Sequence, residues 1–234
     1  NVERVMNTLA DNIRMLGATT ADYAFWSDTY AFAQGQYDDF VDDNFSSDNA
    51  TLGNLGINLA LIADADGRFV WHRVIDLETL ETIALSEELE TALTQILRSS
   101  PPEDSASWGF EGLLPVPDHL IMVASRAILT TAQQGPAAGT LVFGVFVDAT
   151  TEALLSQTLK LPIKISMIDE SSTLPDTIAT WAGPQTDGAE GYMVQALNAD
   201  TIAGYALLND LAGGPTALVQ IEMPRSIYQQ GQDT

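Results

Sequence analysis

The residues whose type and position point most directly to chemistry are two arginines, Arg73 and Arg126, which fall in strongly apolar predicted strands. A guanidinium inside a covered sheet needs an anionic partner, because an unpaired buried charge is very costly. The partner is either one of the 32 acidic residues of the chain or the carboxylate of a small-molecule ligand, held by the planar fork of the arginine. In the second case Trp71, Trp108 and Phe110 would form the apolar walls of the pocket, so these five residues are the predicted ligand site.

Signatures of catalysis and of metal binding are nearly absent from the sequence. It has no G-x-S-x-G, G-x-G-x-x-G or H-E-x-x-H motif, no cysteine and only two histidines. A thiolate nucleophile, a cysteine-ligated zinc site and a multi-histidine metal site are therefore excluded. Asp64 and Asp66 could act as acid and base, but a hairpin turn explains them without chemistry. We expect no enzymatic activity, no catalytic residue, no metal and no cofactor; the third alternative, an acidic hydrolase, would need two carboxylates meeting in one cleft.

The charge of the chain restricts its partners. Its 234 residues include 32 acids and nine bases, giving a formal charge of −23. Such a surface repels phosphate backbones and anionic headgroups, so we expect no binding to nucleic acid and no electrostatic docking on a membrane. The acids are spread along the whole sequence, and Lys160 and Lys164 are the only lysines. This pattern is typical of a salty, extracytoplasmic setting, where self-repulsion is screened, or of a merely acidic domain.

Hydrophobic periodicity predicts a long helix at the start of the chain. Apolar residues recur at alternating spacings of four and three from Val2 to Leu16, and the pattern continues to about Ala33. Such a helix would be about 50 Å long at 1.5 Å per residue. Its apolar stripe either packs along its own domain or forms the seam of a parallel homodimer.

The segments after this helix alternate between helix and strand. Residues 37–49 form an acidic stretch that favours a short solvated helix over a calcium loop, because the Asp-x-Asp-x-Asp-Gly spacing is missing. The expected elements that follow are a hairpin over 57–75, a helix over 77–98, a loop over 99–107, an irregular aromatic link over 108–115, strands over 119–129 and 139–147, and a helix that Asp148 caps and Pro162 ends.

A second set of strands occupies the remainder of the chain, over 163–168, 192–196, 203–209 and 216–222. The sequence therefore predicts three parts. These are a helical segment over 1–52, a larger sheet-containing lobe with a connecting helix over 53–161, and a smaller β-rich lobe with an exit segment over 162–234. The predicted fold class is α+β, with the long N-terminal helix packed on the antiparallel sheet of the first lobe.

Several stretches of the sequence carry a family likeness. The most specific is W-S-D-T-Y over 26–30; the others are 44–45, 58, 64–67, 112–113, 125–128, 135–142, 213–215 and 224–231. Together they resemble the extracytoplasmic sensor domain called CHASE type four. The resemblance implies a Cache- or PAS-like fold, and it makes Trp26, Asp28 and Tyr30 the signature residues.

What the resemblance implies about function is a periplasmic sensory module held between two membrane helices, upstream of a diguanylate cyclase, a cyclic-di-GMP phosphodiesterase or a histidine kinase. The chain has no run of about 18 apolar residues and no signal peptide, so we expect those membrane helices to lie outside it. We predict a non-enzymatic input domain that binds an unknown small molecule, an anion or a carboxylate, and signals by conformational change. The alternative is a periplasmic protein-interaction or dimerisation module with no small-molecule ligand.

Overall fold

The structure is a computed structural model that describes residues 1–98, 108–168, 178, 181 and 191–225. It divides into a larger unit, Asn12–Phe146, and a smaller unit, Asn1–Asp11 with Val147–Thr234. The predicted loop over 99–107 and the last part of the family-like stretch over 224–231 lie outside the described residues. Among the helices that are described, none combines the length and the apolar character needed to cross a bilayer. The three-part division predicted from the sequence stays a prediction.

The larger unit is built on a six-stranded antiparallel sheet with the strand order β3-β2-β1-β6-β5-β4. Its helices and strands are α1 (Val2–Ala24, which starts in the smaller unit), α2 (Ser27–Ala33), α3 (Phe40–Asn44), α4 (Ala50–Leu55), β1 (Leu59–Asp64), β2 (Phe69–Ile75), β3 (Thr82–Ile83), α5 (Glu87–Leu97), β4 (Glu111–Val116), β5 (His119–Ala127) and β6 (Gly139–Phe146).

Strand register determines which side chains share a face of this sheet. Across β2, β1, β6 and β5, one row consists of Trp71, Ile62, Leu141 and Arg126, and the next consists of Arg73, Ala60, Phe143 and Ala124. The rings of Tyr23 and Phe45, from α1 and the end of α3, pack on these rows. This is the side of the sheet that α1 and the end of α3 cover. On the opposite side α5 buries Leu89, Leu93 and Leu97.

The predicted N-terminal helix exists, but it ends earlier than the periodicity indicates. Its apolar stripe is buried within the chain, as Val5 and Leu16 illustrate. The helix stops at Ala24 because the Ala24 carbonyl oxygen accepts a hydrogen bond from the backbone N–H of Leu129, 3.1 Å away. The chain then restarts as α2. The expectation of one continuous helix to about Ala33 was therefore wrong, since a tertiary contact interrupts it.

Two further predictions are corrected in the larger unit. The helix expected over 77–98 is confined to α5, which begins after Ser86, whose hydroxyl accepts a hydrogen bond from the Leu89 N–H. The preceding residues form a turn with Leu80 at a φ of 58°, followed by the short strand β3. The irregular link expected over 108–115 contains the edge strand β4, which pairs with β5 from Glu111 onward.

The smaller unit contains the first residues of α1, the helix α6 (Ala149–Leu159) and a four-stranded antiparallel sheet of β7 (Ile163–Met167), β8 (Tyr192–Ala196), β9 (Thr201–Asn209) and β10 (Pro215–Pro224). The strand order is β7-β10-β9-β8. These strands match the sequence prediction to within two residues. Asp148 caps α6 as predicted, since its carboxylate accepts a hydrogen bond from the Thr151 N–H at 2.9 Å.

Candidate functional site

Arg73 is held by the main chain at the end of α3. Its Nη1 donates to the carbonyl oxygens of Phe45 and Ser46, both at 2.9 Å. Its Cζ lies 5.4 Å from the centroid of the Trp71 ring, which gives a cation–π contact. Within the described residues Arg73 forms no ion pair. The partners that the structure gives this guanidinium are thus main-chain carbonyls and an aromatic face.

Trp71 belongs to an aromatic cluster, which we define as Tyr23, Trp26, Phe45, Trp71 and Phe143. Phe45 stacks on Trp71 with ring centroids 4.8 Å apart, and Tyr23 stacks on Trp26 at 4.4 Å. Tyr23 also meets Phe45 at 5.8 Å and Phe143 at 5.4 Å. Burial in this cluster raises the pKa of Tyr23, and the nearby Asp22 carboxylate raises it further. The cluster joins α1, the end of α3, and two strands of the sheet.

Arg126 is paired with a carboxylate of the protein. Its Nη2 lies 2.5 Å from Oε2 of Glu111, and the two side chains are only 20% and 31% exposed. Its Nη1 donates to the carbonyl oxygen of Ser125 at 2.7 Å and to that of Phe110 at 3.5 Å. The guanidinium therefore has a counterion and two main-chain acceptors.

The five predicted ligand residues fall into two groups. Trp71 and Arg73 lie on β2, whereas Arg126 lies on β5. Trp108 and Phe110 lie beside Arg126, because their carbonyl oxygens accept hydrogen bonds from the backbone N–H groups of Ala127 and Ser125, and the Phe110 N–H donates to the Ser125 hydroxyl. The strands β1 and β6 lie between the groups, a separation of about 14 Å at about 4.8 Å per strand. A single small ligand would not contact all five. Their role in ligand binding stays a prediction.

The signature residues mainly connect secondary-structure elements. Trp26 is in the aromatic cluster, and the Tyr30 hydroxyl donates to the carbonyl oxygen of Pro136 at 3.3 Å. Between them, the Ser27 hydroxyl lies 3.0 Å from that of Thr131. These contacts attach α2 to the loop between β5 and β6. Asp28 is exposed in the first turn of α2.

Three concavities surround α5 on the other side of the sheet. The most enclosed has a volume of about 70 Å³ and a mixed lining, apolar at Val74, Leu89 and Phe146 and polar at Glu88 and His119. Open grooves of about 520 Å³ and 560 Å³ follow α5 and are lined by carboxylates such as Glu87. The enclosed cavity is smaller than the roughly 300 Å³ of a typical ligand pocket. None of the five predicted ligand residues lines these three concavities.

The carboxylates near the first hairpin have structural partners. Oδ1 of Asp64 accepts from the backbone N–H groups of Asp66 and Arg68, both at 2.9 Å. Burial alone would raise the pKa of Asp64, but hydrogen bonds from Arg68 and Asp66 outweigh it and hold the pKa below its usual range. In the described part of the chain, no cluster of His, Asp or Glu is suited to hold a metal ion.

Sequence reasoning missed two residues that shape this region. Glu111 is the counterion of Arg126, and Gly17 of α1 lies directly over that pair. The sequence offers one signal for the second, because a glycine within a helical stripe costs about 1 kcal/mol relative to alanine and calls for a packing reason. It offers none for Glu111, which is one acid among 32.

A long N-terminal helix on a six-stranded antiparallel sheet, followed by a second antiparallel sheet, is the fold of extracytoplasmic sensor domains of membrane signalling proteins. The family model for the CHASE4 domain matches residues 8–166, more than half of the chain. The chain therefore belongs to the CHASE4 domain family. The predictions of family, α+β fold and extracytoplasmic location are confirmed.

Solved structures share this fold at low sequence identity. A domain of a protein assigned to the sensory box/GGDEF family from Vibrio parahaemolyticus matches with a TM-score of 0.61 and 11% identity, covering 96% of this chain and 94% of that one. The periplasmic domain of Vibrio cholerae LuxQ matches with a TM-score of 0.52 and 12% identity, covering 96% and 95%. At these identities the likeness shows the fold alone.

One curated relative matches along the whole chain. It is the methanogenesis regulatory histidine kinase FilI of Methanothrix harundinacea, with 25% identity over 235 residues. The match covers 100% of this chain but 25% of that protein. The chain thus spans about a quarter of the length of the curated relative it matches.

Proposed function

We propose that this chain is the input domain of a transmembrane histidine kinase, and that it binds a small anionic ligand outside the cytoplasm. The observation that carries the proposal is the proximity of the start of α1 to the end of β10 in the smaller unit. Nδ2 of Asn1, at the start of α1, lies 2.7 Å from Sδ of Met223, near the end of β10. This proximity of a first helix and a last strand suits a domain inserted between two membrane helices, because a change in the relative position of α1 and β10 is a signal those helices can transmit.

A kinase output is supported by the relative that is a regulatory histidine kinase. A diguanylate cyclase output is the alternative, supported by the structural neighbour from a sensory box/GGDEF family protein. Cyclic-di-GMP signalling belongs to that alternative. The two outputs differ in the domain that follows the second membrane helix, so the sequence of the full-length protein distinguishes them.

For the ligand site we propose Trp71 and Arg73 as the first group to test, with Trp108, Phe110 and Arg126 as the second. Arg73 forms no ion pair within the described residues, so an incoming carboxylate would not have to displace an internal one there. Arg126 already holds Glu111, and a ligand would have to compete with it. This difference favours the β2 group as the anion site.

A thermal-shift screen of carboxylates, amino acids and divalent ions on this chain tests the proposal. We expect a carboxylate to raise the melting temperature of the wild type and to lose that effect in Arg73→Ala. Arg68→Ala, which removes an arginine with a 75% exposed side chain, is the matched control and should keep the shift. Loss of the shift in Arg126→Ala instead would move the site to the second group. Absence of any shift across the screen would count against a small-molecule ligand.

The second candidate function is a protein-interaction or dimerisation module without a ligand. Met15 favours it, because this side chain of α1 is 68% exposed and lies outside the buried stripe. A homodimer through α1 should weaken when Met15 is changed to Glu, which analytical ultracentrifugation would detect. Ala10→Glu, at an exposed position on a different face of the same helix, separates a specific seam from a general effect of added charge. A monomer at every concentration would contradict this candidate.

A further inference from the structure

Gly17 leaves space in α1 for the ion pair between Glu111 and Arg126. A Cβ atom added at this position would overlap Oε2 of Glu111 and would lie only 2.6 Å from Nη2 of Arg126. Real Cβ atoms essentially never make such contacts, so α1 approaches this edge of the sheet closely only through a residue without a side chain. The charged heads of both partners lie against the helix backbone at Gly17.

The arginine of the ion pair is held in place, so the pair yields to α1 only if the Glu111 carboxylate leaves it. Arg126 is fixed by the carbonyl oxygens of Ser125 and Phe110. A second glycine, Gly109, lies against it on the other side, where a Cβ would be 3.1 Å from both Cδ and Nη1 of Arg126 and would overlap the Ser125 carbonyl. The guanidinium is thus confined by main chain around it and by Glu111, and its position is determined by the sheet.

We propose that the Glu111–Arg126 pair is a latch that fixes the axial and rotational position of α1 on the sheet. An α-helix advances one turn every 3.6 residues. A shift by one turn would therefore bring Ile13 or Ala21 over the pair, and a rotation by one residue would bring Leu16 or Ala18 there. Each of these residues has a Cβ that the space does not admit. The helix can change position only when the pair opens.

The signalling role of this latch rests on the proposed function, which it makes more specific. The helix α1 is continuous from Val2 to Ala24, so a displacement at Gly17 is transmitted along the helix to residues 2–11. Those residues form the start of α1, which we propose to face the membrane. With the pair closed, α1 is held in one state; with the pair open, a second position becomes accessible.

A double-mutant cycle tests the contact itself. In the wild-type background Gly17→Ala should lower the melting temperature, because the new methyl group collides with the pair. In the Glu111→Ala/Arg126→Ala background the same change should raise it by about 2–4 °C, since alanine is the better helix former once the space is empty. If Gly17→Ala prevents folding of the wild type, the double change must restore folding. The same loss in both backgrounds would overturn the proposal.

A distance measurement tests the change in helix position. The chain contains no cysteine, so spin labels can be attached to cysteines introduced at Met15 and Ile83, which are 68% and 40% exposed. We expect one narrow distance distribution in the wild type and a broader or two-peaked one in Glu111→Ala/Arg126→Ala. Glu111→Gln keeps the size of the side chain but removes the ion pair, so it should also broaden the distribution, although less than the double change.

The matched control removes another ion pair of the larger unit, in the turn between β1 and β2. Asp66→Ala/Arg68→Ala deletes a pair with side chains about three-quarters exposed, and it should leave the distance distribution unchanged. An unchanged distribution in Glu111→Ala/Arg126→Ala would mean that the pair does not hold the helix. Both experiments use the chain without ligand or output domain, so failure of the latch is distinguishable from failure of the ligand screen.

Discussion

The guanidinium of Arg73, a residue of β2, lies at the C-terminal end of α3, where it binds the carbonyl oxygens of Phe45 and Ser46. Carbonyl groups at a helix end carry partial negative charge and lack intrahelical partners. A single guanidinium here satisfies the Phe45 carbonyl and is a second donor to the Ser46 carbonyl, which also accepts from the Asn49 N–H at 3.0 Å. It covers the face of Trp71 as well. The residue therefore has a structural role even before any ligand is considered.

Replacement of Arg73 by Ala should destabilise the domain by about 2 kcal/mol, because two hydrogen bonds to a charged donor and a cation–π contact are lost. Chemical denaturation followed by circular dichroism measures this change. Arg73→Lys should recover part of it, since an ammonium keeps the charge but lacks the planar fork. Arg68→Ala should have little effect. A fully stable Arg73→Ala that only loses ligand binding would mean that the carbonyl contacts contribute little.

Tyr37 provides a prediction about pH. Its hydroxyl donates to Oδ2 of Asp43 at 2.6 Å, and this hydrogen bond, with smaller contributions from desolvation and from the Asp43, Asp28 and Asp39 charges, raises the pKa of Tyr37 to about 12. Its folded pKa lies above the unfolded value of 10.0. The stability that the contact contributes is therefore complete below pH 10 and is lost as the pH rises through about 12.

Asp43→Asn should bring the pKa of Tyr37 down toward 10, because the charged acceptor is removed. Ultraviolet absorbance of tyrosinate measures the titration, and Tyr37→Phe identifies which part of the signal belongs to this residue. Asp42→Asn removes a neighbouring exposed charge that does not contact Tyr37 and should leave the titration in place. Equal curves for Asp43→Asn and the wild type would contradict the assignment.

At the scale of elements, the two helices that follow strands begin with different caps. Asp148 caps α6 through the Thr151 N–H at 2.9 Å, and Ser86 caps α5 through the Leu89 N–H at 3.2 Å. An N-cap satisfies a backbone donor that the helix itself cannot. Asp148 adds a negative charge at the positive end of the helix dipole.

Asp148→Ala should therefore cost about 1 kcal/mol of unfolding free energy, and Ser86→Ala a similar or smaller amount. Urea denaturation of each variant provides the measurement. The control is Asp38→Ala, which removes the same type of charge from an exposed turn and should be nearly neutral. If Asp38→Ala and Asp148→Ala had equal effects, the loss would reflect net charge and not the cap.

Most elements follow from periodicity and capping signals in the sequence, and the exceptions have identifiable causes. The strand β4 contains Gly112 and Pro115, both unfavourable in strands, and it is tolerated because it lies at an edge of the sheet. The helix α5 starts late because Ser86 with its following glutamates is the true start, although Leu80 and Ile83 extend the apolar pattern backward. The break of α1 at Ala24 depends on Leu129, over 100 residues away, which no local pattern contains.

The candidate site was less predictable than the fold. Alternation along β2 and β5 correctly indicated that Arg73 and Arg126 lie on a covered face. It could not identify their partners, because the partner of Arg73 is main chain, which has no residue-specific signal. The pairing of Arg126 with Glu111 depends on the register between β4 and β5. The turn between the two strands sets this register, and the sequence predicted only β5 as a strand.

At the scale of the whole molecule, the charge of −23 predicts a dependence on salt. The Debye length falls from about 10 Å at 0.1 M salt to about 3 Å at 1 M. If repulsion among surface acids opposes folding, the melting temperature should rise as sodium chloride increases toward about 1 M. Differential scanning calorimetry across this range measures the effect. A melting temperature that does not rise would contradict the idea of a domain adapted to a salty medium.

A charge-reduced variant is the control for this experiment. It carries four changes at exposed positions, which bring the formal charge to −19: Asp38→Asn, Asp42→Asn, Glu81→Gln and Glu90→Gln. The variant should be more stable in dilute buffer and should gain less from added salt. An equal salt response in both proteins would attribute the effect to strengthened hydrophobic burial instead of screening.

The strand order of the larger sheet also has a consequence for how the protein reaches its native state. Its two central strands, β1 and β6, pair residues about 80 positions apart in the chain, such as Leu59 with Gly144. The chain can form the β1–β2 and β4–β5 hairpins early from local contacts, but it cannot join them until β6 is available. Closing so long a loop carries an entropic cost before any long-range contact is gained. On the ribosome, the two hairpins would therefore wait unpaired until the strand between them has been synthesised.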